Sequence, residues 1–201
     1  MHNVAESDEA ALIRAARQGK VEAFNVLVLR YQTAIYNLAY RVLGDSDLAA
    51  DATQETFIAA FRSLAQFRDG SFRAWLSRIA TNVCYDELRR RQRRPAVSLD
   101  QPEVEVKLVS KTESPESAAQ RAELNRAIQD CLDALPAEQR AVVTLCDVQE
   151  FDYAEVATIT GQPLGTVKSR LSRARLRLRD CLHAVAELLP DSYRPNQEQT
   201  L

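Results

Sequence analysis

Residues 152–179 read DYAEVATITGQPLGTVKSRLSRARLRLR, and the fold is decided here. Asp152 followed three positions later by Glu155 is a capping box, which opens a short helix with Val156, Ala157 and Ile159 inward. Gly161 stops it, and Gln162-Pro163-Leu164-Gly165 forms a tight turn. Beyond the turn Val167, Leu171, Ala174, Leu178, Cys181, Leu182 and Val185 recur at spacings of three and four, which predicts one long amphipathic helix. Short helix, glycine-containing turn and second helix together make a helix-turn-helix. The second helix carries Lys168, Arg170, Arg173, Arg175, Arg177 and Arg179 with no acid between residues 165 and 179. On a helical wheel Ser169, Ser172 and Arg173 fall opposite the apolar stripe, with Lys168 and Arg170 on the flanks. Hydroxyls and guanidinium groups in that pattern suit the base edges and phosphates of a DNA major groove.

The segment leading into this unit is helical as well. Ser114 precedes Pro115, the favoured pairing of cap and first helical position, and Leu124, Ile128, Cys131, Leu132 and Leu135 form the stripe of the helix that follows. Pro136 starts the next helix, with Val142, Val143 and Cys146 inward. Residues 95–115, PAVSLDQPEVEVKLVSKTESP, hold three prolines and no helical period, and read as an exposed linker in which VEVKLV is the one candidate strand.

Before the linker the chain predicts four helices. One spans about residues 8–18, capped by Ser7 and stopped by Gly19. A longer one ends at Gly44 and carries Phe24, Leu27, Val28, Tyr31, Ile35, Leu38, Ala39 and Val42 at helical spacing. A third, near 46–65, places Leu48, Ala52, Ile58, Phe61 and Leu64 inward. The fourth runs from Phe72 to Arg94 with Trp75, Leu76, Ile79, Ala80 and Val83 as its stripe, and Pro95 ends it.

Around the fourth helix, Phe67, Phe72, Trp75 and Tyr85 lie close to Arg68, Arg73, Arg78, Asn82 and the run Arg89-Arg90-Arg91-Gln92-Arg93-Arg94. Aromatic faces stack unpaired bases, arginines hold the backbone and an amide reads a base edge, which is chemistry for a separated strand. Trp75, at helical spacing with Leu76 and Ile79, belongs by pattern to the core. Asp51, Gln54 and Glu55 begin an acidic surface on the third helix that serves either the helix dipole or a protein partner.

Other classes are excluded by composition. A 201-residue chain with 46% hydrophobic residues, 27% charged residues and 5 glycines is neither collagenous nor wholly disordered. It contains no apolar run of the roughly 18 residues a membrane helix needs, and its acidic start lacks the order of a signal peptide, so a soluble cytoplasmic protein is expected. Net charge is −2, yet the cations are concentrated in two clusters separated by an acidic stretch. Cys84, Cys131, Cys146 and Cys181 are far apart, with two histidines as the other soft ligands. Reduced buried thiols are expected, with no metal and no cofactor. The sequence has no Walker, Rossmann, zincin or nucleophile-elbow motif and is not read as an enzyme.

Three blocks in order, YRVLGDSDLAADATQETFIAAFRSLAQFR, FRAWLSRIATNVCYDELRRRQRR and LPAEQRAVVTLCDVQEFDYAEVATITGQPLGTVKSRLSRARLRLR, strongly resemble the extracytoplasmic-function (ECF) subfamily of bacterial RNA polymerase sigma factors. The resemblance implies an all-α chain of two small helical domains joined by a flexible linker. Residues 1–94 would be the four-helix domain that binds core polymerase and opens the promoter −10 element. Residues 95–115 would be the linker, 116–189 the helix-turn-helix domain that reads the −35 element, and 190–201 a tail. It places Asp51, Gln54, Glu55 and Phe57 against the β′ coiled coil of core RNA polymerase, with the β subunit as a further contact. The loop 66–71, with Gln66, Phe67 and Arg68, would hold a base flipped from the non-template strand. Arg78, Asn82 and Asp86 would read the −10 element, and Arg89, Arg90 and Arg93 would lie along phosphates. Lys168, Ser169, Arg170, Ser172 and Arg173 take the −35 positions. Promoter DNA, core polymerase and an anti-sigma factor are the implied partners. The alternatives are a one-component regulator that binds an operator as a dimer, and a helical adaptor for acidic proteins.

Overall fold

The computed structural model describes residues 2–68, 70–93 and 115–184; the linker, its VEVKLV strand, Val185 and the tail lie outside the described residues. Eight α-helices account for the described fold, and it contains no strand. They are α1 (His2–Arg17), α2 (Val21–Leu43), α3 (Ser46–Ser63), α4 (Phe72–Arg93), α5 (Pro115–Asp133), α6 (Ala137–Val143), α7 (Tyr153–Thr160) and α8 (Leu164–Ala184). A 3₁₀ turn, Leu64–Gln66, extends α3, and a π turn, Thr144–Val148, extends α6.

Local chemistry sets most boundaries. Gly44 closes α2 in the left-handed region at φ 73° and donates its N–H to the Tyr40 carbonyl at 2.8 Å. Asp45 then caps α3, accepting from the N–H groups of Asp47 and Leu48 at 3.0 and 2.9 Å. Ser71 Oγ accepts from Ala74 N–H at 3.1 Å and opens α4. The capping box of α7 is present in both directions, Glu155 N–H to Asp152 at 2.8 Å and Asp152 N–H to Glu155 at 2.9 Å. One expectation fails: α1 begins at His2, so Ser7 lies within the helix and is not its cap.

The first four helices pack around Leu27, Ile35, Leu38, Val42, Phe72 and Leu76, all nearly or fully buried. Phe67, Phe72 and Trp75 form an aromatic cluster with centroids 5.2–5.4 Å apart, which confirms Trp75 as a packing residue. The α3 register departs from the expected stripe. Ala49, Ala52, Thr56, Phe57 and Ala60 face inward, whereas Ile58 and Phe61 are exposed. Small residues let α3 lie close to α2 and α4, and the larger side chains turn outward.

The last four helices enclose Val142, Leu145, Val156, Ile159, Val167 and Leu171. A disulfide joins Cys131 of α5 to Cys181 of α8, which corrects the expectation of four reduced thiols; Cys84 and Cys146 are free.

The two halves dock through polar contacts centred on α2. Arg140 Nη1 donates to the Val42 carbonyl at 3.0 Å and to Asp133 at 2.6 Å, and Gln129 Nε2 donates to the Arg41 carbonyl at 3.4 Å. Gln149 Nε2 donates to the Ala34 carbonyl at 3.1 Å. Arg73 of α4 donates to Gln149 and lies over the Phe151 ring, 4.4 Å from its centroid. Gly44 sits so close to Asp133 that a Cβ there would come within 2.6 Å of the carboxylate.

Candidate nucleic-acid and polymerase interfaces

The outer face of α8 is held open by the stripe beneath it. Val167, Leu171 and Ala174 are buried, and Lys168, Ser169, Ser172 and Arg173 are exposed on the other side. Arg173 folds back along the helix, donating from Nε to the Ser169 carbonyl at 3.1 Å and from Nη2 to Ser169 Oγ at 3.3 Å. Guanidinium and hydroxyl are thereby presented as one polar group. The cationic run is acid-free in sequence but not in space. Arg170 is half-buried and pairs with Glu138 at 3.5 Å, so it points away from the open face. Arg175 makes a two-pronged pair with Asp147 at 2.6 and 3.0 Å, which raises its pKa further, and Arg179 pairs with Asp180 at 2.9 Å. Among the described residues Lys168, Arg173 and Arg177 have no acid partner; Arg177 donates to Gln139 at 3.4 Å, which leaves Lys168 and Arg173 as the cations for phosphate or base.

A second polar face lies along α4. Arg78, Asn82, Asp86 and Arg89 follow one another at spacings of three and four, and all are exposed. Arg89 pairs with Asp86 at 3.3 Å and Arg90 with Glu87 at 2.7 Å. Arg91 reaches Asp45 at 3.1 Å, tying the end of α4 to the cap of α3. Arg93 remains exposed. In the preceding loop Gln66 and Arg68 are exposed, but Phe67 is only 7% exposed. The expectation that its ring faces a base is corrected: it packs on Phe72 and Trp75 because three aromatic rings bury more apolar area together than one covers at a surface.

On α3, Asp51, Gln54 and Glu55 are exposed, and Asp51 and Glu55 both act electrostatically on Arg90 of α4. Phe57, on the same helix, is 8% exposed and packs in the core, off the face that carries Asp51, Gln54 and Glu55. The apolar side chains that do face outward are Ile58 and Phe61. With Val21, Phe24 and Val28 of α2 they line an open groove of about 800 Å³ that has Gln54 on its rim.

Two family models match the chain, Sigma-70 region 2 over residues 27–94 and Sigma-70 region 4 over residues 125–178. The RNA polymerase sigma-H factor of Pseudomonas aeruginosa is 36% identical over 176 residues, covering 85% of this chain and 91% of that protein. The chain belongs to the RNA polymerase sigma factors. The ECF sigma factor SigE of Mycolicibacterium smegmatis is 40% identical over 165 residues, covering 82% of this chain; this sigma factor spans 63% of that longer relative. The ECF sigma-E factor of Escherichia coli K12 is 34% identical over 174 residues, covering 83% of this chain and 90% of that one. Among solved structures, CnrH in complex with the cytosolic domain of CnrY matches at a TM-score of 0.65 with 27% identity, covering 88% of this chain and 98% of that chain. The sigma factor RpoE of Bartonella quintana, solved with the anti-sigma factor NepR, matches at 0.64 with 28% identity, covering 79% and 96%.

In this sigma factor the α4 face and the α3 side of the groove fall within the region 2 match, and the α8 face falls within region 4. Sequence reasoning found both polar faces and missed the groove. Its signal was there: Ile58 and Phe61 are apolar at a spacing of three, and were read as core.

Proposed function

We propose that this sigma factor binds core RNA polymerase and directs promoter-specific initiation through three surfaces. Asp51, Gln54 and Glu55 on α3 pair with arginines of the β′ coiled coil, and Phe57 supports them from the core. Arg78, Asn82 and Asp86 on α4 read the −10 element, with Gln66 and Arg68 beside a captured base, Phe67 bracing that loop from below, and Arg89, Arg90 and Arg93 along phosphates. Lys168, Ser169, Ser172 and Arg173 read the −35 duplex in the major groove, with Arg170 at the edge of that contact. The protein acts by binding, not by catalysis: contacts to the −35 duplex and to a flipped −10 base offset the few kcal/mol that unstacking costs. The observation that carries this reading is that one chain holds two separate exposed faces, one suited to a single strand and one to a duplex groove.

The β subunit of polymerase is a further contact. An anti-sigma factor is the regulator we expect, because the matched structure of RpoE is that of a sigma factor held by an anti-sigma factor. Action in the cytoplasm, without metal or cofactor, completes the proposal; no described helix is long and apolar enough to cross a membrane.

Run-off transcription with bacterial core polymerase over a library of promoter fragments tests it. Transcripts that appear only when the protein is added, and that share −35 and −10 sequences, are expected. A core enzyme that responds to another sigma factor but not to this folded protein would refute the proposal.

A further inference from the structure

The outer face of α8 continues past the residues assigned above. Ser169, Ser172 or Arg173, and Leu176 succeed one another at spacings of three and four, so they share one line along the helix. Leu176 is 50% exposed. Beyond the first turn of α8 it is the one exposed large apolar side chain among the described residues. Its helix neighbours at spacings of three and four are all polar, Ser172, Arg173, Arg179 and Asp180, and Arg179 is paired with Asp180. Half of this leucine's surface therefore lies open among polar side chains.

Geometry limits what it could meet. From Ser169 to Leu176 the helix advances about 10 Å at 1.5 Å per residue. That distance is about three base-pair steps of 3.4 Å. A span of seven residues is also what lets one helix address three successive base pairs in zinc fingers. The major-groove edge of DNA presents one apolar group, the C5-methyl of thymine. We infer that Leu176 is a specificity residue of the −35 reader and packs on the methyl group of a thymine about three base pairs from the contact of Ser169. The inference rests on the assignment of the α8 face to the −35 duplex.

The test uses holoenzyme, this chain with core polymerase, on the preferred promoter from the run-off library. Each thymine of the −35 element is replaced in turn by uracil, which removes the methyl group and leaves the pairing unchanged. At one position the wild-type protein should need about fourfold more holoenzyme for half-maximal open complex, the effect of returning one methyl group to water. Leu176→Ala should show no uracil effect at that position, and Leu176→Met, which keeps an apolar contact, should retain it. Three results would overturn the inference: no thymine near that position, no uracil effect anywhere, or an equal uracil effect in Leu176→Ala. A Leu176→Ala loss that is the same on thymine and uracil promoters would also overturn it, and would assign the side chain to a protein contact. Arg173→Ala separates the two levels. If it binds the promoter as the wild type does, the −35 assignment itself fails; if it weakens binding while uracil has no effect, only the role of Leu176 fails.

Discussion

Arg173 and Asn82 are exposed on different helices of different halves, and their losses should differ in kind. Arg173→Ala is expected to weaken −35-dependent promoter binding by about tenfold or more, the scale of one good base contact. Asn82→Ala should leave duplex binding near wild type and slow −10 opening, seen with a fluorescent base in the −10 region; loss of duplex binding alone in both variants would contradict the division. Glu55→Lys should weaken core polymerase affinity several-fold by charge reversal, read by direct titration of the core enzyme. The cysteines make a separate case. Burial pushes the Cys84 thiol up to about 12 and the Cys146 thiol up to about 11, and Tyr85 rises to about 12 for the same reason. Each group therefore ionises in the unfolded chain before it does in the folded one. Stability should fall as pH climbs from about 9 towards 12, in chemical melts across that range. Without reductant the unfolded chain should titrate two thiols, Cys84 and Cys146, and four after dithiol treatment.

Helices differ in how openly the sequence declares them. α7 announces itself through Asp152 and Glu155, and Asp152→Ala should cost about 1 kcal/mol in thermal unfolding by removing the cap. The cross-link from α5 to α8 spans 50 residues. Reduction should cost the second domain about 4 kcal/mol by the loop-entropy estimate, seen as a lower melting temperature in dithiol. Helix count, order and the basic face of α8 were legible because large apolar residues at spacings of three and four and strong caps decide them. The α3 register was not. Its buried stripe is Ala49, Ala52, Thr56, Phe57 and Ala60, and alanines contribute little to a periodicity read from large side chains. Partners brought in by tertiary folding were equally hidden, since nothing near Arg170 or Arg175 in sequence points to Glu138 or Asp147. The disulfide was hidden for the same reason: two cysteines far apart in sequence meet only once α5 packs on α8.

At the scale of the whole molecule the unexpected feature is docking. A linker suggests two independent readers, yet Arg73, Gln149 and Phe151 join them on one side and Gln129, Asp133 and Arg140 on the other. Arg73→Ala removes both the hydrogen bonds to Gln149 and the stacking on Phe151. X-ray scattering should then show a radius of gyration above the ~17 Å of a compact chain of this length. Gly44→Ala should do the same, because its Cβ would meet the Asp133 carboxylate at 2.6 Å and its φ of 73° disfavours a side chain. A variant that opens without loss of helicity would locate the effect in docking rather than in folding. The acceptors on α2 are the main-chain oxygens of Ala34, Arg41 and Val42. Every residue type carries such an oxygen, so replacements on that stretch of α2 leave these acceptors in place. Random mutagenesis selected for separated domains should therefore recover changes at Arg73, Gln129, Arg140 and Gln149, and at Arg41, whose side chain also donates to Gln129 at 3.2 Å, far more often than at Ala34 and Val42, and the joint can outlast drift at those positions of α2 that enter it through main chain alone.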